Sequence, residues 1–84
     1  MIYFKETGYD KTIYNFFELV RTTTNYYVFR RISKIENNGS VFPDRTKFEG
    51  SEVRVNKGSR TARNFQKWEG QELKENHNYT YTGL

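Results

Sequence analysis

The chain has 84 residues, no cysteine, and seven Tyr, seven Phe and one Trp, so it makes a single domain with neither disulfides nor a thiolate metal site. The formal net charge is +4 and the pI about 9.4, a balance that admits nucleic acid or another acidic partner but says nothing of fold. Met1 to Thr7 contain no long apolar run, so neither a signal peptide nor a membrane span is expected.

A chain this short buries only about 60–65% of its unfolded surface, and the aromatic load has to make up for the thin core. Ile2-Tyr3-Phe4-Lys5 reads as a first strand, followed by a loop at Gly8-Tyr9-Asp10-Lys11-Thr12. Phe16 to Arg21 and Tyr26 to Ile32 are dense in Phe, Tyr, Val and Ile, residues that suit a pleated surface. The link Thr22 to Asn25 is short enough for a hairpin connection, with Asn25 able to take a left-handed backbone. The alternation puts Phe17, Leu19, Tyr27 and Phe29 on one face, taken as the inner one. Phe16, Glu18 and Val20, with Tyr26, Val28, Arg30 and Ile32, share the other face, which is apolar enough to need partial cover. A bulge near Arg30-Arg31 would turn Ile32 inward.

Asn37-Asn38-Gly39-Ser40 is the strongest turn signal, because Asn-Gly suits positive φ. Val41-Phe42-Pro43 then begins a connection through the only proline. In Ser51 to Asn56, Val53 and Val55 alternate with Glu52, Arg54 and Asn56, as in a half-buried strand. Lys57-Gly58-Ser59-Arg60 reads as a basic loop, Asn64 to Trp68 as another strand, and Glu69-Gly70 as a turn into Gln71 to Lys74. The stretch Gly58 to Leu73 could instead place Ala62, Phe65, Trp68 and Leu73 on a short helix, interrupted by Gly70. No segment keeps a helical period over three turns, and no repeat or linker appears.

The expected fold is therefore all-β. A bent antiparallel sheet of five or six strands, SH3-like or a related small barrel, spans residues 1–75 and is followed by a polar tail, 76–84. Its expected core is Tyr3, Phe17, Leu19, Tyr27, Phe29, Ile32, Val53, Val55, Phe65 and Trp68.

Several runs resemble a known group. Gly8-Tyr9-Asp10-Lys11-Thr12, Asn15-Phe16-Phe17-Glu18-Leu19-Val20, Thr22-Thr23-Thr24, Val28-Phe29-Arg30-Arg31-Ile32 and Trp68-Glu69-Gly70 are similar to small uncharacterised proteins of phages, prophages and other mobile elements of bacteria. That group carries a Gly-Tyr-(Asp/Glu)-Gln-Thr-Asn-x-Asp-Phe-Tyr-x-Val-Val pattern. Here Lys11, Ile13 and Asn15 replace its Gln, Asn and Asp, and the Trp usual before Gly-Tyr is absent. The resemblance implies a phage or mobile-element origin and a compact β fold, and brings no activity with it. A protein of this kind is expected in the cytoplasm of a bacterial host cell.

The charge is unevenly spread. Arg54, Lys57, Arg60, Arg63 and Lys67 follow one another with no acid between them, while the rest of the chain has nine basic and ten acidic residues. Gly58 and Ser59 would let backbone N–H groups approach an anion, and Phe65 and Trp68 would offer π faces beside the cations, as single-stranded nucleic acid requires. The same cluster would suit duplex phosphates or an acidic protein. The plainer reading is a solvated loop with Phe65 and Trp68 in the core. Tyr9, Tyr14, Tyr26, Tyr79 and Tyr81 exceed what a core needs and suit either an interface or cross-strand pairing.

Catalysis has little material. His77 is the only histidine, and Asp10, Glu18, Asp44, Glu49 and Glu52 are scattered. Neither a catalytic residue, a cofactor nor a metal is expected. Three readings stand: a non-catalytic module that binds nucleic acid through Arg54, Lys57, Arg60, Arg63, Lys67 and Trp68; an inhibitor that binds a host defence protein; and an assembly accessory with a tyrosine-rich homo-oligomer face.

Overall fold

The computed structural model describes residues 1–8 and 11–75. The chain runs β1 (Ile2–Thr7), β2 (Ile13–Thr22), β3 (Tyr26–Asn37), β4 (Ser40–Asn56), α1 (Arg60–Asn64), β5 (Gln66–Lys67) and β6 (Leu73–Lys74). All six strands join one antiparallel sheet in the order β5-β1-β2-β3-β4-β6, curled into a half-barrel. The all-β class and the bent six-stranded sheet are as expected from the sequence.

The central hairpin forms where the aromatic runs predicted it. Its turn is closed by Thr23, whose N–H donates to the Tyr26 carbonyl at 2.8 Å and whose hydroxyl accepts from the Tyr26 N–H at 3.0 Å. Asn25 does not use the left-handed region. That conformation falls to Asn38 (φ 53°) and Gly39 (φ 80°) between β3 and β4, the positive pair that a tight hairpin of matching twist requires.

Both faces of the sheet are apolar, and each is covered by a different part of the chain. On one face Phe4 pairs across to Phe16, and Phe16 to Ile32. With Ile2, Val41 and Leu73 they form the buried cluster, against which Tyr14 and Trp68 pack. This corrects the expected inner face. The sealed core belongs to Phe16 and its neighbours, because β1, the start of β4 and β6 all turn apolar side chains to that side. Ile32 is buried through its register with Phe16. The irregularity expected near Arg30-Arg31 is present, but the surplus residues lie in β4, opposite the shifts at Arg30/Ile32 and Ile32/Ser33.

On the other face Tyr3, Phe17, Leu19, Tyr27 and Phe29 stand together. Phe29 is buried, whereas Tyr3, Phe17, Leu19 and Tyr27 are half-buried, because among the described residues only the short α1 segment and Phe65 cover them. Val55 is buried on this face, but Val53, expected in the core, is 44% exposed. Val53 lies on β4 beyond the reach of β6, which pairs only at Ser40 and Val41.

Three further expectations are corrected. The connection predicted from Val41 through Pro43 is strand, and β4 runs unbroken from Ser40 to Asn56. Past Val41 that strand is a sheet edge, where a residue without an N–H is tolerated. The strand predicted for Asn64 to Trp68 shrinks to the two residues of β5, Gln66 and Lys67, because the helical turn α1 ends at Asn64. Glu69-Gly70 does not fold β5 back on β6. The two strands pair with opposite edges of the sheet, β1 and β4, so residues 68–72 bridge the open side of the half-barrel.

The end of β6 is pinned beside this core. The buried Glu75 carboxylate accepts from the Tyr14 N–H at 3.1 Å and pairs with the Lys34 ammonium, which also donates to the Tyr14 carbonyl at 2.9 Å. The tail 76–84 lies outside the described residues.

Candidate functional site

Strand alternation decides where each cation of the basic run goes. Val53 pairs with Phe29 and Val55 with Tyr27, so both point to the α1 side. Arg54 pairs with Val28 and leaves by the opposite face, with its guanidinium carbon 5.5 Å from the Tyr26 ring centroid. It is therefore separated from the rest of the run.

Lys57 follows in a turn that brings the chain back over the sheet. Its N–H donates to the Asn25 carbonyl at 3.0 Å, and its ammonium lies 5.3 Å from the Tyr27 ring centroid. The N–H of Gly58 donates to the Asn56 side chain and that of Ser59 to the Asn56 carbonyl, each at 3.0 Å. The anion cradle expected from Gly58 and Ser59 is thus absent, because its donors hold the turn together. Ser59 caps α1, accepting from the Ala62 N–H at 3.2 Å, which fits the preference for Ser at that position. Arg60 and Arg63 are exposed, three residues apart on the helix. Lys67 pairs across β5 with Tyr3, so its side chain leaves on the Tyr3 side.

The α1 segment brings Phe65 down onto the sheet. Its ring stacks on Phe29 at 4.0 Å and 2° between planes and meets Phe17 edge-on at 5.0 Å. Tyr3 stands edge-on to Phe29 at 5.4 Å, and Tyr27 lies 6.1 Å from it. One helical turn is too short to cover all of these rings. It leaves a cleft of about 170 Å³ lined by Tyr3, Tyr27, Phe29, Ala62 and Phe65.

Lys5, two residues beyond Tyr3 and on the same face of β1, completes the rim, with its ammonium 5.1 Å from the Phe65 centroid. Lys5 was not among the predicted site residues. Its alternation with Phe4 indicates its face, but its neighbours at the site lie far along the chain. Lys5 and Lys57 thus stand at the cleft, Lys67 leaves on the same side of the sheet, and Arg60 and Arg63 are carried by the helix that partly covers it. Among the described residues only Lys67 has a carboxylate within 4 Å, Glu69 at 3.9 Å. That pair is exposed on both sides and contributes little.

Trp68, the last predicted site residue, points away from this rim. Its ring meets Phe16 edge-on at 6.3 Å. Its indole N–H donates to the Gln71 carbonyl at 2.9 Å, and its backbone N–H donates to the Ile2 carbonyl at 2.8 Å. Of the two aromatics that follow the basic run, Phe65 is a wall of the cleft and Trp68 is packing.

A larger opening, about 460 Å³, lies where β4 bulges from β3, and its lining includes Asn15, Arg31, Asp44, Lys47 and Glu49. Its charges answer one another. Arg31 donates to Asn15 at 3.0 Å and pairs with Glu49 at 3.6 Å, and Ser33 donates to Glu49 at 2.7 Å. It therefore lacks the one-signed field that would attract an anion. Nearby, two hydrogen bonds from Thr46 hold the Asp44 carboxyl below its ordinary range.

Tyr14, one of the surplus tyrosines, packs edge-on against Phe4 at 5.7 Å, and burial together with the Glu6 carboxylate pushes its phenol up. Tyr9, Asp10, His77, Tyr79 and Tyr81 lie outside the described residues. Among the described residues no group of three or more His, Cys, Asp or Glu could hold a metal ion, and no helix is long and apolar enough to cross a membrane. Comparison with protein-family models, curated proteins and solved structures finds no match.

Proposed function

We propose that the protein is a non-catalytic nucleic-acid-binding module of a phage or mobile genetic element, acting in the cytoplasm of a bacterial host. The contact is made by Lys5, Lys57, Arg60, Arg63 and Lys67 around the cleft of Tyr3, Tyr27, Phe29 and Phe65. One observation carries this reading: cations almost without acidic partners accompany an incompletely covered aromatic surface. Positive charge answers phosphate and a π face answers a base, and single-stranded nucleic acid offers both at once. Arg54 and Trp68 take no part in this contact.

Titration of labelled single-stranded DNA and RNA at low and moderate salt tests the reading. Binding that weakens steeply as salt rises supports it; no binding at low salt removes it.

A second reading, capture of a host protein such as a defence nuclease, has a separate observation in its favour. Ile35 and Phe42 face each other across β3 and β4 and are 53% and 36% exposed. On this reading a pull-down from nuclease-treated lysate retains one defined protein, and Ile35→Lys with Phe42→Lys releases it. Retention that survives the double substitution would refute that surface.

A further inference from the structure

The outer edge of β4 is guarded over part of its length and open over the rest. The Glu75 N–H donates to the Gly39 carbonyl at 2.9 Å, and alternation from that pair turns the backbone groups of Val41 and Pro43 outward. Val41 meets Leu73 of β6, whereas Pro43 has no N–H to offer. Beyond Pro43 the register with β3 breaks twice, and Gly50 stands in the left-handed region at φ 74°. Prolines and bulges are how proteins protect a strand edge. From Glu52 to Asn56 neither device is present, and β4 keeps an unbroken register with β3.

Alternation also decides which groups this stretch presents. The Lys57 N–H donates to the Asn25 carbonyl at 3.0 Å. In the same register, Tyr27 with Val55 and Phe29 with Val53 are the pairs that exchange hydrogen bonds. The N–H and C=O groups of Glu52 and Arg54 therefore point away from β3, and among the described residues no strand meets them. Both residues are exposed, as is Val53 between them, at 44%.

The charges of this edge say which strand fits it. A second copy can meet it only with outward residue against outward residue. Glu52 against the partner's Glu52, or Arg54 against the partner's Arg54, opposes like charges. Glu52 against the partner's Arg54 joins opposite charges, and two-fold symmetry makes the same pair again. That register sets Val53 on the axis, facing the partner's Val53 at a pair without hydrogen bonds, where side chains approach most closely. Glu52 accepts from one nitrogen of Arg21 at 2.9 and 3.1 Å, which leaves acceptor sites on its carboxylate. Arg54 lies beside Tyr26 and, among the described residues, has no carboxylate within 4 Å.

We propose that β4 pairs edge to edge with β4 of a second copy of this chain, antiparallel about a two-fold axis at Val53. The two half-barrels are then joined through one continuous sheet. This surface lies apart from the cleft, uses the one cation of the basic run that the cleft does not, and stands whether or not the chain binds nucleic acid.

The ladder engages far fewer than the roughly 20–30 residues a side of a standard interface, so sedimentation equilibrium is followed up to about 1 mM chain. The native chain should dimerise across that range. Glu52→Arg and, separately, Arg54→Glu should each weaken dimerisation about tenfold or more, because every charged pair then opposes like signs. Both positions are exposed, so the variants stay folded. Glu52→Arg and Arg54→Glu together in one chain exchange the two signs and should restore dimerisation. An equal mixture of the two single variants should associate as well, each chain meeting only the other. Amide hydrogen exchange needs no variant: the N–H groups of Glu52 and Arg54 should gain protection as concentration rises.

A chain that stays monomeric at the highest concentration overturns the proposal. Dimerisation that the single substitutions leave unchanged, or that the double exchange does not restore, overturns it too, since the contact then lies elsewhere. Protection of the Glu52 and Arg54 amides that is already complete in the dilute monomer would give this edge to residues 76–84 of the same chain, and that also overturns it.

Discussion

Neutralising the rim should flatten the salt dependence of binding by a predictable amount. Each phosphate contact on a single strand contributes about −0.7 to the slope of log affinity against log salt. Full engagement of Lys5, Lys57, Arg60, Arg63 and Lys67 therefore gives a slope of about −3.5, and raising salt from about 50 to about 200 mM weakens binding roughly a hundredfold. The triple variant Lys57→Ala, Arg60→Ala, Arg63→Ala keeps two contacts, so its slope is about −1.4 and the same rise in salt weakens binding only about sevenfold. Arg60 and Arg63 are exposed, so their loss changes stability by about 0.5 kcal/mol or less each. Lys57 gives up its position over Tyr27, worth about 0.5–1 kcal/mol. The variant should thus remain folded. Arg54→Ala is the internal control: it belongs to the same run of sequence but leaves by the other face, and its slope should equal that of the unaltered chain. The assay is anisotropy of labelled decathymidylate across a salt series. If Arg54→Ala flattens the slope as much as Lys57→Ala, the cations act as a diffuse field and the geometric argument for one rim is refuted.

Four further outcomes follow from the fold. Phe16 is fully buried, so Phe16→Ala should cost about 3–5 kcal/mol, much of the roughly 4–13 kcal/mol expected of a domain this size; urea unfolding that moves by less than about 1 kcal/mol contradicts its place in the core. Trp68→Ala should cost about 2–3 kcal/mol by the loss of packing on Phe16 yet leave affinity for single strands unchanged while folded, and a loss of affinity in the folded variant would put Trp68 back in the contact. At Gly8, with φ at 117°, a Cβ would overlap the Lys11 carbonyl oxygen, so Gly8→Ala should lower stability by about 1–3 kcal/mol; a thermal midpoint equal to that of the unaltered chain refutes the strain. Because hydrogen bonds from Thr46 lower the folded pKa of Asp44, their stabilisation is present above the ordinary carboxyl value of 3.8 and is lost as pH falls through the lower folded value. Carboxyl-carbon NMR should show the Asp44 midpoint moving up in Thr46→Val, and an unmoved midpoint denies the hydroxyl its part.

What could be read from the sequence was local. The β2–β3 hairpin is written in two aromatic runs, and the β3–β4 turn in Asn38-Gly39. The burial of each face was not legible, because the adjacent Phe16 and Phe17 supply one large ring to each side. Only partners distant in sequence separate them: Ile2, Val41 and Leu73 for Phe16, and Phe65 for Phe17. The length of β4 was hidden for a related reason. Pro43 and Gly50 read as punctuation, but at a bulged edge they cost little. A helix of five residues is too short to show a period. The site was legible in part. The run from Lys57 to Lys67 is visible as charge, and Val53-Arg54-Val55 already places Arg54 opposite its valine neighbours. Which of those faces carries the cleft depends on where α1 lands, and that is a tertiary fact.

The two faces also explain how so short a chain can hold both a core and the proposed site. One face of the sheet is closed by strands and by the Trp68 bridge, and it holds most of the buried apolar side chains. Among the described residues the other is closed only by Phe65 and one turn of helix, which cover Phe29 but leave Tyr3 and Tyr27 half-exposed. A chain selected for stability alone would place a larger side chain at position 62 and bury the remaining aromatic surface, at about 25 cal/mol per Å² removed from water. Alanine at that position keeps the cleft open at a cost in stability. Ala62→Leu should therefore raise the unfolding midpoint while it weakens the proposed single-strand binding, the opposed changes expected where burial and binding compete for one surface. If leucine instead lowered the midpoint, residue 62 would be a tightly packed position and the cleft would have no room for a base.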